Sequence, residues 1–450
     1  MKIFIAICRI IVGSLFIVSG LIKVNDVIGF SYKLEEYFSI KALGYPELLP
    51  YVIPIAMFIV LGEVLLGVAT LLGAWPKITS SLLLFMTLFF AWLTYYTANC
   101  DPMQLKIFTA LDGTYFIDTP ECVLSCGCFG DAIKLTPMES FYKDIFLLPF
   151  VLPFFFAAFF NKVKLNTWKE DAYIIVSSLV LVALFGALKL DWNFPAVFVV
   201  VSTLAALIVK KFVGEKQWLM AIAVTIVCAF TQYWTYVHLP LKDYRPYAIG
   251  QDIVENMKSA EELGLEPPKF LTFYTLKNKS GETKEVDSER YLSENIWKDT
   301  TWKIVNDLTY TKKVSDGYEA KIQDFTALDS DGNELKDELV AHPGVFLLVM
   351  WNIEETEKDH LKEIAEFANK AQAAGKAFYG FTTASYDEYE PLRHEFSLAF
   401  PFLQGDEKVL KTMIRANPGL VYWENGKVVN MWAACDVPDY DKAAANGFKP

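Results

Sequence analysis

Histidine is scarce in this chain of 450 residues, which contains four copies that lie far apart. They form no zinc-binding spacing and no Ser-His-Asp arrangement. The sequence also lacks a glycine-rich phosphate loop, internal repeats and low-complexity segments. We therefore predict no metal site, and we expect solvated or structural roles for the four histidines, which are His238, His342, His360 and His394.

Positive charge is also in short supply, with 41 Lys and Arg residues against 53 Asp and Glu residues and a net charge of -12. Residues 1 to 237 hold 16 basic and 16 acidic residues, whereas residues 238 to 450 hold 25 and 37. The whole surplus therefore belongs to the second half. Nucleic acid and anionic lipid surfaces repel an acidic domain, so we expect no nucleic-acid partner.

Long hydrophobic runs, by contrast, fill the first half of a chain that is 53% hydrophobic. A helix needs about 20 mainly apolar residues to cross the hydrocarbon core of a membrane. The first window has the basic start of a signal peptide, but no small-residue cleavage site follows it, so we interpret it as a retained helix. Seven windows qualify as spans, near residues 3–23, 51–74, 78–98, 144–160, 172–189, 194–211 and 217–237.

Lysines in the short loops predict the orientation of these spans, because positive residues are kept on the cytoplasmic side. The lysines cluster in alternate loops, namely at Lys77, at Lys162, Lys164 and Lys169, and at Lys210, Lys211 and Lys216. We expect those loops and the N-terminus to be cytoplasmic. Residues 22 to 50, residues 99 to 143 and everything after His238 then lie outside.

Glu63 lies near the middle of the second window, where an unpaired carboxylate is costly. Two interpretations are open: a proton relay or ligand contact, and a protonated or lysine-paired carboxyl that holds two helices together. Lys23, at the exit of the first window, is the other intramembrane polar candidate. Cys8 and Cys228 lie in apolar spans and are expected to be small hydrophobic filler.

Four of the seven cysteines fall in one outer loop: Cys100, Cys122, Cys126 and Cys128. A bond between Cys126 and Cys128 would close a very small, strained and easily reduced ring, which is a property of catalytic disulfides. Three interpretations remain open. The loop cysteines exchange thiols and disulfides, or form two structural disulfides, or bind a soft metal, although the loop contains no histidine to support a metal site.

Three motifs of the first 160 residues point to a known family: Ser19-Gly20-Leu21-Ile22-Lys23, Gly62-Glu63-Val64-Leu65-Leu66-Gly67, and Cys126-Gly127-Cys128-Phe129-Gly130-Asp131 followed by Lys143-Asp144. With these motifs the segment resembles the DoxX-like membrane proteins, and especially their MauE-like branch of four-helix proteins in the bacterial inner membrane. The resemblance implies a role in maturing disulfide-rich envelope enzymes or in sulfur oxidation linked to a membrane quinone. No particular substrate follows from it.

From Asp324 onward, alternating strand and helix patterns predict an α/β layer fold. We expect a short strand at 324–328, central strands at 345–351 and 377–383, and a helix from an N-cap at Thr356 to a stop at Gly375. Asn425-Gly426 between two apolar runs predicts a hairpin, because both residues tolerate positive φ.

This order resembles the thioredoxin-like fold of the TlpA and peroxiredoxin type over residues 321 to 435, with Asn417-Pro418 at the family's cis-proline position. Working members carry Cys-x-x-Cys after the first central strand, but residues 352 to 358 contain no cysteine. The resemblance therefore implies a degenerate domain that binds or positions a partner. Cys435 follows the last strand and is expected to be a spare thiol.

These patterns predict a membrane bundle followed by an α/β thioredoxin-like domain. We expect a four-helix domain at residues 1–160, three further spans at 161–237, an extracytoplasmic connector with a hairpin at 238–320, and the thioredoxin-like domain at 321–450. The main hypothesis is a multi-pass inner-membrane protein that handles disulfide chemistry for an envelope client at the periplasmic face. Cys126 and Cys128 would form the redox pair, and Cys100 and Cys122 the second pair. The alternative is a non-enzymatic envelope scaffold with structural disulfides and a binding-only outer domain.

The alternating lysine clusters make the topology testable. A reporter enzyme that works only outside the cytoplasm, fused after Pro450, should be active because seven spans from an inner N-terminus leave the C-terminal half outside. The measurement is reporter activity in intact cells, compared with a fusion after Lys164 as the inner control. A C-terminal fusion that is inactive there, but active as a cytoplasmic reporter, would show that one predicted span does not cross.

Overall fold

The computed structural model of the protein describes residues 2–101, 105–123, 125–305, 308–315 and 317–450. The chain divides into two compact units, Met1–Arg245 and Pro246–Pro450. The first unit is helical and the second combines helices with two β-sheets.

Within the described residues, the first unit contains seven helices that are long and apolar enough to cross a membrane. The seven spans that the hydropathy pattern predicts are therefore confirmed, and the protein is a multi-pass membrane protein. A shorter helix follows the first of them, and a turn of π-helix extends the fifth to Leu190. The helices are α1 Lys2–Asn25, α2 Val27–Phe38, α3 Val52–Leu72, α4 Pro76–Ala98, α5 Pro137–Phe159, α6 Trp168–Phe185, α7 Phe194–Val213 and α8 Gln217–Val237.

Helix α5 begins seven residues before the predicted hydrophobic window. Thr136 caps it by accepting a hydrogen bond from the Glu139 backbone N–H, while the Glu139 side chain accepts from the Thr136 N–H. The first two turns also carry Lys143 and Asp144, which lower the hydropathy of this segment. A capping box therefore sets the start of this helix, and a hydropathy window cannot detect it.

Helices α1 and α3 pack through small residues. The α-carbon of Gly67 lies so close to α1 that an added Cβ would be 2.6 Å from Ile17 Cγ1 and 2.9 Å from the Gly13 carbonyl oxygen. An added Cβ at Gly20 would lie 2.8 Å from Val64 Cγ2. Small side chains let helix backbones approach closely in membranes, where dispersion contacts drive helix association.

A buried polar network joins helices α1, α3, α6 and α7. The Arg9 guanidinium donates to the carbonyl oxygens of Thr70 and Leu71, both at 2.9 Å, and to Asn166 Oδ1 at 2.7 Å. Asn166 donates in turn to Asp171 Oδ1 at 3.0 Å, and Lys210 Nζ lies 2.5 Å from Asp171 Oδ2. Each charge thus has an opposite or hydrogen-bonding partner, as burial in an apolar bundle requires.

The second unit is built on a five-stranded sheet that contains, in spatial order, β11 Lys427–Ala433, β10 Gly419–Glu424, β7 Val345–Met350, β8 Ala377–Thr382 and β9 Phe402–Gln404. Strands β7, β8 and β9 are parallel, and the hairpin β10–β11 adds two antiparallel strands. All six residues of β7 are buried, as expected of a central strand with both faces covered. Its elements are α11 Lys336–Ala341, β7 Val345–Met350, α12 Leu361–Ala373, β8 Ala377–Thr382, α13 Tyr386–Glu395, β9 Phe402–Gln404, α14 Glu407–Met413, β10 Gly419–Glu424, β11 Lys427–Ala433 and α15 Tyr440–Ala445.

A smaller antiparallel sheet precedes it, in which β3 pairs with β4, β5 and β6. A separate two-stranded sheet, β1 with β2, lies in the cysteine loop of the first unit. The remaining elements are β1 Lys106–Thr109, β2 Tyr115–Asp118, α9 Ile253–Met257, β3 Lys269–Asn278, β4 Thr283–Asp287, α10 Ser288–Ser293, β5 Trp302–Ile304 and β6 Tyr310–Ser315.

The predicted α/β fold is confirmed: the five-stranded sheet, its flanking helices and the cis peptide bond between Asn417 and Pro418 form a thioredoxin-like arrangement. The hairpin turns through Asn425 and Gly426, with φ of 49° and 78°. Gly375, with φ of 78°, ends α12 as predicted.

Two local predictions in this unit are wrong. Residues 324–328 form no strand, and Leu328 makes only isolated bridges to Glu334 and Gln404. Thr356 does not cap α12, which begins five residues later after His360. Its hydroxyl instead lies 2.7 Å from the carbonyl oxygen of Asn352, four residues back, and 3.2 Å from Asn417 Oδ1, a tertiary contact that the local sequence does not indicate.

The close packing of α1 on α3 can be tested with two glycines of α3. Gly67→Ala should lower the free energy of unfolding by about 1–3 kcal/mol, because the new methyl group meets the α1 backbone and forces the helices apart. Gly62→Ala is the matched control, since no atom lies within 4 Å of its added Cβ and alanine favours helix. Thermal unfolding of the purified protein in detergent would contradict this packing if both variants lost the same stability.

Candidate functional site

The structure joins two of the four loop cysteines, Cys100 and Cys122, in a disulfide with a sequence separation of 22. Cys100 directly follows α4, so the bond ties the middle of the loop to the end of a membrane span. Closing a loop of this length stabilises a folded state by about 3 kcal/mol in the chain-entropy model. The bond therefore restrains the segment that carries the other two cysteines.

Cys126 and Cys128 are not bonded to each other, and both are buried, with 8% and 6% of their surface exposed. Gly127 between them adopts φ of 67°, a conformation that glycine enters at little cost. The turn brings the Cys128 backbone N–H to 3.3 Å from Cys126 Sγ, to which it donates a hydrogen bond. Two thiols thus share one tight turn against the membrane bundle.

The surroundings of Cys126 favour its thiolate. A hydrogen bond from the Cys128 thiol lowers the pKa of Cys126 to about 6, with further help from the Ser140 hydroxyl, 3.0 Å away, and from the Lys143 charge. The pKa of Cys128 is raised well above its usual range, because its proton is held by Cys126 and because the side chain is buried. The two thiols of this turn therefore differ, since the pKa of Cys126 is lowered while that of Cys128 is raised.

An ion pair inside the bundle supports this turn. Lys23 Nζ on α1 lies 2.6 and 2.8 Å from the two carboxylate oxygens of Glu63 on α3, and both side chains are almost fully buried. Lys23 also donates to Ser19 Oγ at 3.1 Å. The Ser19 hydroxyl lies 3.1 Å from both Glu63 Oε2 and the Cys128 carbonyl oxygen. Ser19 thus links the intramembrane ion pair directly to the cysteine turn.

A cavity of about 50 Å³ lies between the ion pair and the turn. Its polar wall carries a second pair, in which Lys143 Nζ lies 2.9 Å from Asp144 Oδ1. Aromatic rings form part of its apolar wall. The centre of the Phe90 ring lies 5.6 Å from Lys23 Nζ, and the centre of the Phe129 ring lies 5.4 Å from Lys143 Nζ. The cavity is lined by Leu15, Phe16, Ser19, Lys23, Glu63, Thr87, Phe90, Cys128, Phe129, Lys143, Asp144 and Leu147.

The predicted site residues of the first unit thus separate into a disulfide, Cys100–Cys122, and a group around the cavity. That group contains Lys23, Glu63 and Cys128, with Cys126 hydrogen-bonded at its edge. Of the two interpretations of Glu63, the structure shows the lysine-paired carboxyl that joins two helices.

Pro418, the predicted cis-proline, lies in the second unit. The residues hydrogen-bonded around it carry polar side chains, where working thioredoxin-like proteins carry thiols. Asn417 Nδ2 donates to the Asn352 carbonyl oxygen at 2.7 Å, and the Glu357 backbone N–H donates to the Asn417 carbonyl oxygen at 2.9 Å. Cys435 is half-buried, and burial raises the pKa of its thiol. This part of the domain therefore offers no reactive thiolate.

Sequence reasoning gave no role to Ser19, Ser140 or Asp144. Ser19 precedes Lys23 by four residues, so the two share one helix face, and that spacing is a readable signal. Asp144 is an ionisable residue within a span, which is a second signal. No sequence signal singles out Ser140, because its importance depends on its distance from Cys126 in the folded protein.

The Lys23–Glu63 pair can be tested by charge removal. Lys23→Met and Glu63→Gln should each destabilise the protein by about 3–5 kcal/mol, because each leaves one buried charge without its partner. The double variant should recover most of that loss, and Lys77→Met, which removes an exposed lysine, should have little effect. The measurement is thermal unfolding in detergent. A double variant as unstable as the worse single variant would show that the two charges do not compensate each other.

Comparison with known proteins gives two findings. The crystal structure of yeast Sco1 is similar to 28% of this chain and 94% of its own, at 14% sequence identity and a TM-score of 0.23. No curated protein matches the chain. Residues 1–100, which contain Ser19, Lys23 and Glu63, match the family described as methylamine utilisation protein MauE.

Proposed function

We propose that this chain is a thiol-disulfide oxidoreductase of the bacterial inner membrane that acts on envelope proteins at the periplasmic face. The observation that carries the proposal is the Cys126–Cys128 turn, in which the Cys128 backbone N–H and the Ser140 hydroxyl lie 3.3 and 3.0 Å from Cys126 Sγ. The hydrogen bond from the Cys128 thiol and these contacts lower the pKa of Cys126, whereas the pKa of Cys128 is raised. A structural thiol pair would need no such polarisation. The match of residues 1–100 to the MauE family supports a role in protein maturation.

The chemistry requires two exchanges. The Cys126 thiolate attacks a client disulfide, forming a mixed disulfide and releasing one client thiolate. Cys128 then attacks Cys126 Sγ, which forms the Cys126–Cys128 disulfide and releases the second client sulfur. Two electrons move to the client, and in the reverse direction the same pair oxidises a client dithiol.

Access to Cys126 requires movement of its loop, because only 8% of its surface is exposed. The loop is held by the Cys100–Cys122 disulfide and by the contact of Ser19 with the Cys128 carbonyl oxygen. Opening the turn breaks the second restraint and leaves the first intact. We infer that client binding supplies the free energy for this opening.

A membrane quinone is the oxidant that the family resemblance implies, but the cavity beside Cys128 does not fit its ring. The cavity measures about 50 Å³, a third of the roughly 150 Å³ of an apolar protein cavity that binds benzene. We therefore derive no step through a quinone at this position.

The thioredoxin-like domain is proposed to recruit the client. It has the fold of a thiol exchanger, but polar hydrogen bonds around Asn352 and Asn417 replace the reactive pair. A domain of this kind can bind an extended segment without reacting with it. The alternative function, a scaffold without exchange activity, is favoured by one observation, the burial of both loop thiols.

Trapping separates the two functions. Cys128→Ser should accumulate a mixed disulfide between Cys126 and an envelope protein, since the resolving thiol is missing. Cys126→Ser should accumulate much less, because the remaining Cys128 thiol is protonated at neutral pH. Cys228→Ser is the matched control, as this buried thiol lies in α8.

The readout is a reductant-sensitive band on non-reducing gels of cells alkylated before lysis, identified by mass spectrometry. If Cys128→Ser and Cys228→Ser migrate alike, and cells without the four loop cysteines keep the protein's function, the scaffold function replaces exchange.

A further inference from the structure

Asp144 is a buried carboxylate with only half of its hydrogen-bonding capacity used. Its side chain is 2% exposed, and Oδ1 pairs with Lys143 at 2.9 Å. Among the described residues, Oδ2 has no hydrogen-bond partner. An unsatisfied carboxylate oxygen inside a membrane bundle costs free energy. A purely structural role would therefore leave Asp144 destabilising the fold at this position.

Asp144 is one of the residues that line the cavity. Asp144 and Cys128 line the same space of about 50 Å³, which has room for one or two water molecules. Most of the cavity lining is apolar, but Ser19, Lys23, Glu63 and Lys143 also line it and supply the polar partners that a buried water needs. A water in this space can hydrogen-bond to a carboxylate and a thiol at once.

The other charged groups at the cavity are already committed. Glu63 is neutralised by Lys23 through both of its oxygens, and Lys143 is a cation near the two sulfurs. Among the described residues that line the cavity, Asp144 is therefore the charged group with a free acceptor atom.

We propose that Asp144 is the general base that takes the proton of Cys128 through cavity water when Cys128 resolves the mixed disulfide. This inference rests on the proposed function. In the step, Cys128 loses its proton to Asp144 and attacks Cys126 Sγ, the bond from Cys126 to the client sulfur breaks, and the leaving client thiolate then takes the proton from Asp144. No net proton or electron is lost, and Asp144 returns to its starting form.

The test uses the full-length protein in detergent, with Cys8, Cys228 and Cys435 replaced by serine and 4,4'-dithiodipyridine as the disulfide probe. Attack by Cys126 releases one equivalent of thiopyridone, and resolution by Cys128 releases the second. Asp144→Asn should leave the first phase unchanged and slow the second about a hundredfold at neutral pH, the usual size of a general-base effect. Asp144→Glu, which keeps the carboxylate, should recover much of the second phase.

The pH profile separates proton transfer from positioning. In the unsubstituted site the second phase should rise through the acidic range in which carboxylic acids ionise and then level off. Asp144→Asn should lose this rise and accelerate only in the alkaline range, where Cys128 ionises unaided.

An intact first phase with an unaffected second phase would overturn the role of Asp144 alone. An equal slowing in Asp144→Asn and Asp144→Glu, with normal thermal unfolding, would also overturn it and leave Asp144 as a positioning partner of Lys143. Absence of the first phase in the unsubstituted site would overturn the proposed function itself.

Discussion

The ion pair between Lys23 and Glu63 is the interaction on which the rest of the site depends. It joins α1 to α3 inside an apolar bundle, where neither charge could stay alone. Close approach of these helices, through Gly13, Gly20 and Gly67, brings the two side chains within hydrogen-bonding distance. Ser19 then extends the pair to the Cys128 carbonyl oxygen. The position of the cysteine loop therefore depends on the Lys23–Glu63 pair, and that pair depends on how closely α1 and α3 pack.

The same contacts give Cys126 and Cys128 different pKa values. Once the Cys128 carbonyl is fixed, the Gly127 turn directs a backbone N–H at Cys126, while α5 supplies Ser140 and Lys143. Each contact helps to lower the pKa of Cys126, while the hydrogen bond to Cys126 and burial raise the pKa of Cys128. Chemical asymmetry thus arises between two cysteines that look equivalent in the sequence, because their neighbours come from different helices.

The thioredoxin-like sheet and the Cys126–Cys128 pair belong to different units. The second unit has the sheet and the cis-proline, with Asn352 and Glu357 near it in place of a Cys-x-x-Cys pair, and its single thiol is that of Cys435. The first unit holds Cys126 and Cys128 in a loop of the membrane bundle. A buried second network around Arg9, Asp171 and Lys210 fixes α6 and α7 to the same bundle, away from any cysteine of the loop. Its fully paired charges mark it as structural, in contrast to Asp144.

By itself the sequence determined the seven apolar helices, the α/β order of the second half and the absence of a Cys-x-x-Cys pair after its central strand. These features depend on hydropathy, periodicity and residue identity alone. The hairpin at Asn425-Gly426 was equally readable, because positive φ is a local property. Local patterns predicted the wrong role for Thr356, whose hydroxyl donates to the Asn352 carbonyl oxygen and does not cap α12. They also missed the start of α5, which a capping box sets and hydropathy does not. Tertiary structure alone paired Lys23 with Glu63 and brought Asp144 and Cys128 to one cavity, whereas the Cys100–Cys122 disulfide is the second pair that the sequence predicts. The contacts that tertiary structure decided follow no fixed spacing along the chain, because they depend on how the helices pack; Ser19 and Cys128, for example, are 109 positions apart.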